Sequence, residues 1–386
     1  MMHASLPNLP KPLIIGVDAS RSTVLQKTGT ENYSLQMINA LIEANTKYIW
    51  RLYYRDNPSP TLYRTNSLVE SKVMVSPIAW THLRLSAELA FNPPDLVFVP
   101  AHVIPIYCPA PSVVTIHDLG FMRYPSMHPP LQLAYLRWST NYNVRHASHL
   151  IADSEATKQD IIDHYHTDPA KITVVHPGFD SESYRSTDNK NVFQNLPDSY
   201  ILHVGTIHPR KGLSVLIKAI AQLRDRNINI SLVCAGREGW MTSSIRKQAV
   251  DLGLESMIHF LGFVSQKHLP ALYSRAKITV LPSLYEGFGY TTLESMAAAT
   301  PVICTNAGSL PEVVGKAALI VPPNDSGSLS NAINTLLTNN SIRQRLITAG
   351  QKRCAMFSWD STANQTVAII EKTLTEKASH VSNKHP

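Results

Sequence analysis

The chain has 386 residues, 44% of them hydrophobic and 8% aromatic, which is core material for two or three domains of ordinary size. No apolar run approaches the ~20 residues of a membrane-spanning helix, and the opening MMHASLPNLPKP lacks the basic and apolar regions of a secretory signal, so a cytoplasmic location is expected. The formal charge of +7 lies wholly in residues 196–386, because residues 1–195 carry equal numbers of basic and acidic side chains; this points to an anionic ligand or surface, and the dispersed Lys and Arg argue against nucleic acid.

The first half reads as alternating strands and helices. Strands are expected at 13–18, 50–54, 73–76, 96–100, 113–117, 150–152 and 172–175, several of them continuous apolar runs of the kind buried on both faces. Helices are expected at 31–45, 131–146 and 155–165, the last capped by Ser154. Such alternation implies a parallel sheet with helices on both sides, and ligands then bind beyond the carboxyl ends of the strands. Three places qualify. Gly29, between Thr28 and Thr30, either offers backbone N–H groups to a phosphate or is a plain helix entry. His117-Asp118 ends a buried strand; His117 either meets a substrate hydroxyl or bonds a neighbouring carbonyl. The turn His176-Pro177-Gly178-Phe179-Asp180 leads out of the domain, and the polar, patternless stretch 181–198 reads as a linker.

A second alternation follows, with strands at 200–204, 230–234, 258–261, 278–281, 302–305 and 319–321. The loop after its first strand, Gly205-Thr206-Ile207-His208-Pro209-Arg210-Lys211-Gly212, occupies the position of a phosphate-binding turn but is neither GxGxxG nor GxxxxGK[ST]. Arg210 and Lys211 either neutralise a diphosphate or are solvated loop cations. Gly236 follows the second strand, and a planar base fits against the backbone of Gly262, Phe263 and Val264 after the third. The run ITVLPSLYEGFGYTTLESMAAATPV, 278–302, reads as strand, turn and helix, with the helix beginning near Thr292. Its turn carries Glu286, and its first helical turn carries Glu294. Either acid suits sugar hydroxyls, and the helix N-terminus suits a phosphate. Thr291 to Glu294 also spells a capping box, so Glu294 has a purely structural alternative; Glu286 has only that of a solvated loop acid. Helices at 330–337, 342–357 and 361–375 close the chain, followed by a polar tail expected to fray. The four cysteines form no CxxC pair and no HExxH occurs, so no metal site is expected.

Taken together, GTIHPRKG, AGREGW, HFLGFV, LYSRA, PSLYEGFGYTTLESMAAATPV, GSLPEV and FSW, preceded by IHDLGF, SEATKQDI and HPGFD, resemble the retaining family-four glycosyltransferases. The resemblance implies an α/β fold of two Rossmann-like doubly wound domains facing a central cleft (GT-B), with the C-terminal helix crossing back to the first domain. It divides the chain into an acceptor-side domain, 1–190, a nucleotide-sugar domain, 197–358, a crossover helix, 359–376, and a disordered tail, 377–386. It implies that Glu286 faces the donor sugar, that Glu294 binds the ribose, and that Arg210 and Lys211 hold the leaving diphosphate. It further implies that the Gly287, Phe288, Gly289, Tyr290 and Thr291 backbone lines phosphate and sugar, with Gly29, Gly205, Thr206, Gly236, Phe263 and Val264 also on the donor, and that His117 lies near the transferred sugar. Such enzymes typically need no metal. Within the family the motifs are most similar to bacterial mannosyltransferases of surface-polysaccharide assembly. That similarity favours GDP-mannose as donor and a glycan or lipid-linked saccharide as acceptor, with peripheral contact to an anionic inner membrane face. His208, Gly212, His176 and Tyr290-Thr291-Thr292 depart from the family's usual residues. The rival readings are an epimerase or phosphorylase of similar fold and a non-catalytic sugar-nucleotide-binding subunit; absence of GxGxxG in both first turns argues against an oxidoreductase.

Overall fold

The computed structural model describes residues 12–382 except 25–26, 45–46, 60–61, 64–65, 77, 102, 186–192, 194 and 240. The first sheet is built from β1 (Ile14–Asp18), β2 (Ile49–Tyr54), β3 (Val69–Val73), β4 (Leu96–Val99), β5 (Ser112–Ile116), β6 (His149–Ala152) and β7 (Ile172–Val174), in the order β3-β2-β1-β4-β5-β6-β7. The second contains β8 (Tyr200–Val204), β9 (Ser231–Ala235), β10 (Ile258–Gly262), β11 (Ile278–Leu281), β12 (Val302–Thr305) and β13 (Ala318–Val321), in the order β10-β9-β8-β11-β12-β13. All the pairings are parallel, for instance Thr279 with Val302 and Ile278 with Ile201. Central strands such as β4, β5 and β11 are buried at every residue, as the continuous apolar runs require.

Helices cover the sheet faces. Those of the first half are α1 (Gly29–Ala44), α2 (Ser86–Phe91), α3 (Gly120–Arg123), α4 (Pro130–His146) and α5 (Glu155–Tyr165), with α6 (Glu182–Arg185) in the connection. The second half adds α7 (Leu213–Asp225), α8 (Thr242–Asp251), α9 (Leu269–Arg275), α10 (Tyr290–Ala297), α11 (Leu310–Val314), α12 (Ser326–Thr338) and α13 (Asn340–Cys354). The last helix, α14 (Trp359–Ser382), returns to the first half: Ala363 and Ile370 are fully buried in one cluster with Tyr33, Met37 and Ile15. This is the crossover expected from FSW and the helix after it.

Strand order reverses between β1 and β4 and again between β8 and β11. At these switch points the loops leaving adjacent strands diverge and open a crevice at the carboxyl edge. The loops after β8 and β11 are those carrying Arg210-Lys211 and Glu286, so two stretches some seventy residues apart are brought side by side.

Several elements differ from expectation: α2 and α3 have no expected counterpart, and α12 begins at Ser326 rather than 330. The third strand is Val69–Val73, not 73–76, because VESKV alternates as an edge strand paired only to β2 rather than forming an apolar run. The linker at 181–198 contains α6, whose Tyr184 is buried. The α10 helix begins at Tyr290, two residues early, from Gly289 in a left-handed conformation at φ 93°. The tail expected to fray from 377 continues as helix to Ser382; residues 383–386 lie outside the described part.

Candidate functional site

The centre is the turn after β11. Glu286 is 8% exposed, yet it is an ionised group with partners on both oxygens. Lys211 Nζ donates to Oε1 at 2.6 Å and to Oε2 at 2.9 Å, and the Ser283 hydroxyl donates to Oε1 at 2.6 Å. Burial alone would raise this carboxyl; the Lys211 and Arg210 cations and the Ser283 hydroxyl outweigh it and hold it below the ordinary carboxylate range. Arg210 is anchored by its own turn, with Nη1 donating to the Tyr285 carbonyl at 2.8 Å. Glu286 is therefore no solvated loop acid, and Lys211 no solvated loop cation. Beneath them His203 on β8 is buried, meets the Val280 carbonyl of β11 at 3.1 Å through Nδ1, and has its pKa lowered to about 4, chiefly by burial.

Glu294 lies in the second turn of α10, not the first, and does not form a capping box; the helix has no side-chain cap. Its carboxylate instead accepts from the Tyr184 hydroxyl at 2.8 Å and the Tyr273 hydroxyl at 2.6 Å. Burial raises its pKa despite these donors. Each oxygen keeps a lone pair for a further donor, such as a ribose hydroxyl. The α10 N-terminus stands next to this acid and to Glu286, offering N–H groups without a side-chain cap.

The opposite wall is the carboxyl edge of the first sheet. His117 follows β5, and its ring is committed to its own half: Nδ1 meets Asp153 Oδ2 at 2.7 Å and Nε2 meets the Pro100 carbonyl at 3.0 Å. Both partners are acceptors, so the ring carries both protons. Although burial opposes the charge, Asp153 and the carbonyl raise the His117 pKa. One imidazolium thus ties together the ends of β4, β5 and β6. This is the structural alternative left open in the sequence, and the imidazole has no unused nitrogen for a substrate. The His117 main chain, by contrast, does reach the other half. A Cβ on Gly287 would collide with its carbonyl oxygen, so only glycine allows this approach.

The halves are joined at the same place. Ser154, the N-cap of α5, donates to the Gly287 carbonyl at 2.8 Å. The Tyr285 hydroxyl donates to Asp160 Oδ2 at 2.6 Å, Arg123 pairs with the same carboxylate, and Tyr124 donates to the Leu284 carbonyl at 3.1 Å. Glu312 accepts from the Glu155 N–H at 3.0 Å and pairs with His176 Nε2 at 2.5 Å.

The remaining expected residues are spread around this centre. Gly205 lies against the Lys211 stem, Thr206 is exposed beside it, and Gly236 packs on the Gly205 carbonyl. Phe263 is 46% exposed with the Arg237 guanidinium 4.9 Å from its ring centre, and Val264 is half-buried. Phe288 is a core residue, packed on Phe357 and Tyr290, so only its backbone is available to a ligand. The Tyr290 hydroxyl is buried without a hydrogen-bond partner, and Thr291 is half-buried. Gly29 is the exposed first residue of α1, with open space where a Cβ would point. Tyr184, Tyr273, Ser283, His203 and Asp153 are site residues that the sequence reading did not single out. Among the described residues no group of three His, Cys, Asp or Glu side chains could hold a metal ion, and no helix is long and apolar enough to cross a membrane.

Two family models match the chain: Glycosyltransferase Family 4 over residues 28–183 and Glycosyl transferases group 1 over 185–353. The O-antigen chain mannosyltransferase B of Escherichia coli is 31% identical over 263 residues, covering 66% of this chain and 69% of that protein. Among solved structures, sucrose-phosphate synthase from Thermosynechococcus elongatus superposes with a TM-score of 0.75 at 20% identity, covering 94% of this chain and all of the other. Anabaena HepE, in complex with UDP and glucose, superposes with a TM-score of 0.72 at 19% identity, with 94% and 100% covered. With two parallel Rossmann-like sheets meeting at their carboxyl edges, the chain belongs to the family-four glycosyltransferases of GT-B fold.

Proposed function

We propose that the protein transfers a hexose, with mannose favoured, from a nucleoside diphosphate sugar to a hydroxyl of a glycan or lipid-linked saccharide, with retention at the anomeric carbon. The observation that carries this is the Arg210–Lys211–Glu286 cluster: two cations and a buried, ionised carboxylate at the switch point of the second sheet, beside an uncapped helix N-terminus. In this scheme the diphosphate sits on Arg210, Lys211 and the α10 N-terminus, Glu294 accepts from the ribose, and Glu286 accepts from sugar hydroxyls. The bond from the anomeric carbon to the phosphate oxygen breaks as the bond to the acceptor oxygen forms, and the acceptor's proton passes to the departing phosphate. Stabilising that developing charge with fixed cations is worth several kcal/mol in comparable sites. The cations and helix dipole make the step metal-independent in this proposal. The E. coli relative, named as an O-antigen chain mannosyltransferase, supports mannose and therefore GDP-mannose; the UDP held by HepE supports a nucleotide-sugar donor more generally. A cytoplasmic enzyme, peripheral on the inner face of the membrane, fits such an acceptor.

A thermal-shift screen over GDP-, UDP-, ADP- and dTDP-sugars tests the donor. A sugar nucleotide at 100 times its Kd is expected to stabilise the protein by about 2.7 kcal/mol. Nucleoside diphosphate should then be released only when a hydroxyl acceptor is present. Stabilisation by none of these donors, or release of an epimerised sugar nucleotide, would sink the proposal.

A further inference from the structure

The turn that carries Glu286 belongs to the second half by sequence and by sheet, yet the first half grips it on both sides of that acid. Tyr124 donates to the Leu284 carbonyl at 3.1 Å, Ser154 donates to the Gly287 carbonyl at 2.8 Å, and between them the Tyr285 hydroxyl donates to Asp160 Oδ2 at 2.6 Å. A further contact reaches the neighbouring loop, where His208 Nε2 meets the Met127 carbonyl at 2.9 Å. The joint is dry: Asp160 is fully buried, and Leu284 and Tyr285 are buried with it.

Of these contacts, Asp160 alone brings a carboxylate, and its two oxygens are divided between the halves. Arg123, from the same half as Asp160, donates through Nε to Oδ1 at 2.9 Å; Tyr285, from the other half, takes Oδ2. The Arg123 guanidinium also lies 5.8 Å from the centre of the Tyr285 ring, within reach of a cation–π attraction. A buried carboxylate stripped of every partner is costly. Asp160 keeps Arg123 within its own half, so the seat for Tyr285 stands without the second half, and Tyr285 can leave and return without orphaning the charge.

Tyr285 links this seat to the chemistry. Its carbonyl accepts from Arg210 Nη1 at 2.8 Å, and the next residue is Glu286. A Cβ on Gly120 would stand 3.1 Å from the Tyr285 ring and 3.3 Å from Arg210 Nη1, so first-half backbone packs closely on the same two groups. We propose that Asp160 is a positioning residue: by seating Tyr285 it sets the Glu286 turn and the Arg210 guanidinium in the geometry that transfer requires, which rests on the transferase function proposed above. The acceptor-side half thereby governs the donor-side groups. A displacement of about 1 Å at such groups costs on the order of 100-fold in rate.

Tyr285→Phe tests this mildly, because it removes the hydroxyl and keeps the ring and the carbonyl that holds Arg210. Asp160→Asn attacks the same bond from the other side and is expected to show the same pattern. With GDP-mannose as donor and octyl α-mannoside as acceptor, kcat should fall at least about tenfold while the calorimetric Kd for GDP-mannose changes by less than about threefold. Hydrogen exchange at the amides of 283–289 should quicken at least about tenfold while β12 changes by less than about twofold, because the turn is loosened and the sheet is not. Unchanged exchange in the turn overturns the proposal. So does a kcat within about twofold of wild type, or a loss of donor affinity equal to the loss in kcat. A wild type that transfers nothing from GDP-mannose to this acceptor defeats the transferase reading by itself; the exchange difference then decides whether Asp160 positions the turn.

Discussion

Replacing Lys211 with methionine isolates the interaction that keeps Glu286 ionised in its turn. Met fills the space of the lysine stem but leaves the Glu286 carboxylate, 8% exposed, without the ammonium that now contacts both oxygens at 2.6 and 2.9 Å. Removing one partner from a fully buried pair costs about 3–5 kcal/mol. Here the Lys211 side chain retains 23% exposure, and the Ser283 hydroxyl and Arg210 stay in place, so a cost below that range, about 2–3 kcal/mol, is expected. For a unit the size of the second half this is a fall in Tm of roughly 5–10 °C. The pH dependence follows from the lowered Glu286 pKa. That group stabilises the fold above its unfolded pKa, near ~4.3, and the contribution is lost as pH falls through the still lower folded value. In Lys211→Met that acid-labile contribution should shrink, because of the groups that lower the pKa only Arg210 and the Ser283 hydroxyl remain. Adding Glu286→Gln to Lys211→Met should restore at least about 1 kcal/mol, because the orphaned charge is gone. Urea unfolding at several pH values reads all three quantities. A Lys211→Met variant within about 0.5 kcal/mol of wild type, with no recovery in the double variant, would refute the buried pair.

Three other changes probe different parts of the cleft. Glu294→Gln keeps the shape but replaces an acceptor of two tyrosine hydroxyls; donor KM is expected to rise about tenfold with kcat changed far less, a pattern that initial-rate kinetics will show or exclude. Gly287→Ala places a methyl group against the His117 carbonyl, so about 1–3 kcal/mol of stability and most of the transfer activity should be lost together; a variant of normal Tm and activity would show that the two backbones need not approach. His117 has a raised pKa, so its pair with Asp153 stabilises the fold fully below the unfolded value, near ~6.5, and is lost as pH rises through the higher folded value. Asp153→Asn should flatten that alkaline loss in unfolding titrations, and an unchanged profile would mean that the pair carries no charge.

Much of the architecture was legible because buried parallel strands are continuous apolar runs, and such runs placed most of the strands among the described residues within a residue or two of where they lie. The edge strand β3 escaped because VESKV alternates and resembles a loop. The acids Glu286 and Glu294 and the cations Arg210 and Lys211 stood out as charges next to glycine-rich turns. Their partners did not. Tyr184 sits in a polar segment with no periodicity, and its contact with Glu294 spans 110 positions. Asp153 reads as an ordinary residue before an N-cap until β5 and β6 are known to be neighbours. The capping-box reading of Glu294 failed because Gly289 adopts a left-handed conformation and starts α10 early, which shifts the acid into the second turn. The direction of the His117 ring depends on Pro100, 17 residues earlier at the end of the neighbouring strand β4, and no local pattern reports it.

The most direct test is a crystal structure with the best-binding sugar nucleotide from the donor screen. Transfer by the proposed route puts the diphosphate within hydrogen-bond reach of Arg210, Lys211 and the α10 N-terminus, a ribose hydroxyl on Glu294, and sugar hydroxyls on Glu286. A donor whose diphosphate lies away from Arg210 and Lys211, or whose sugar points away from Glu286, would contradict it.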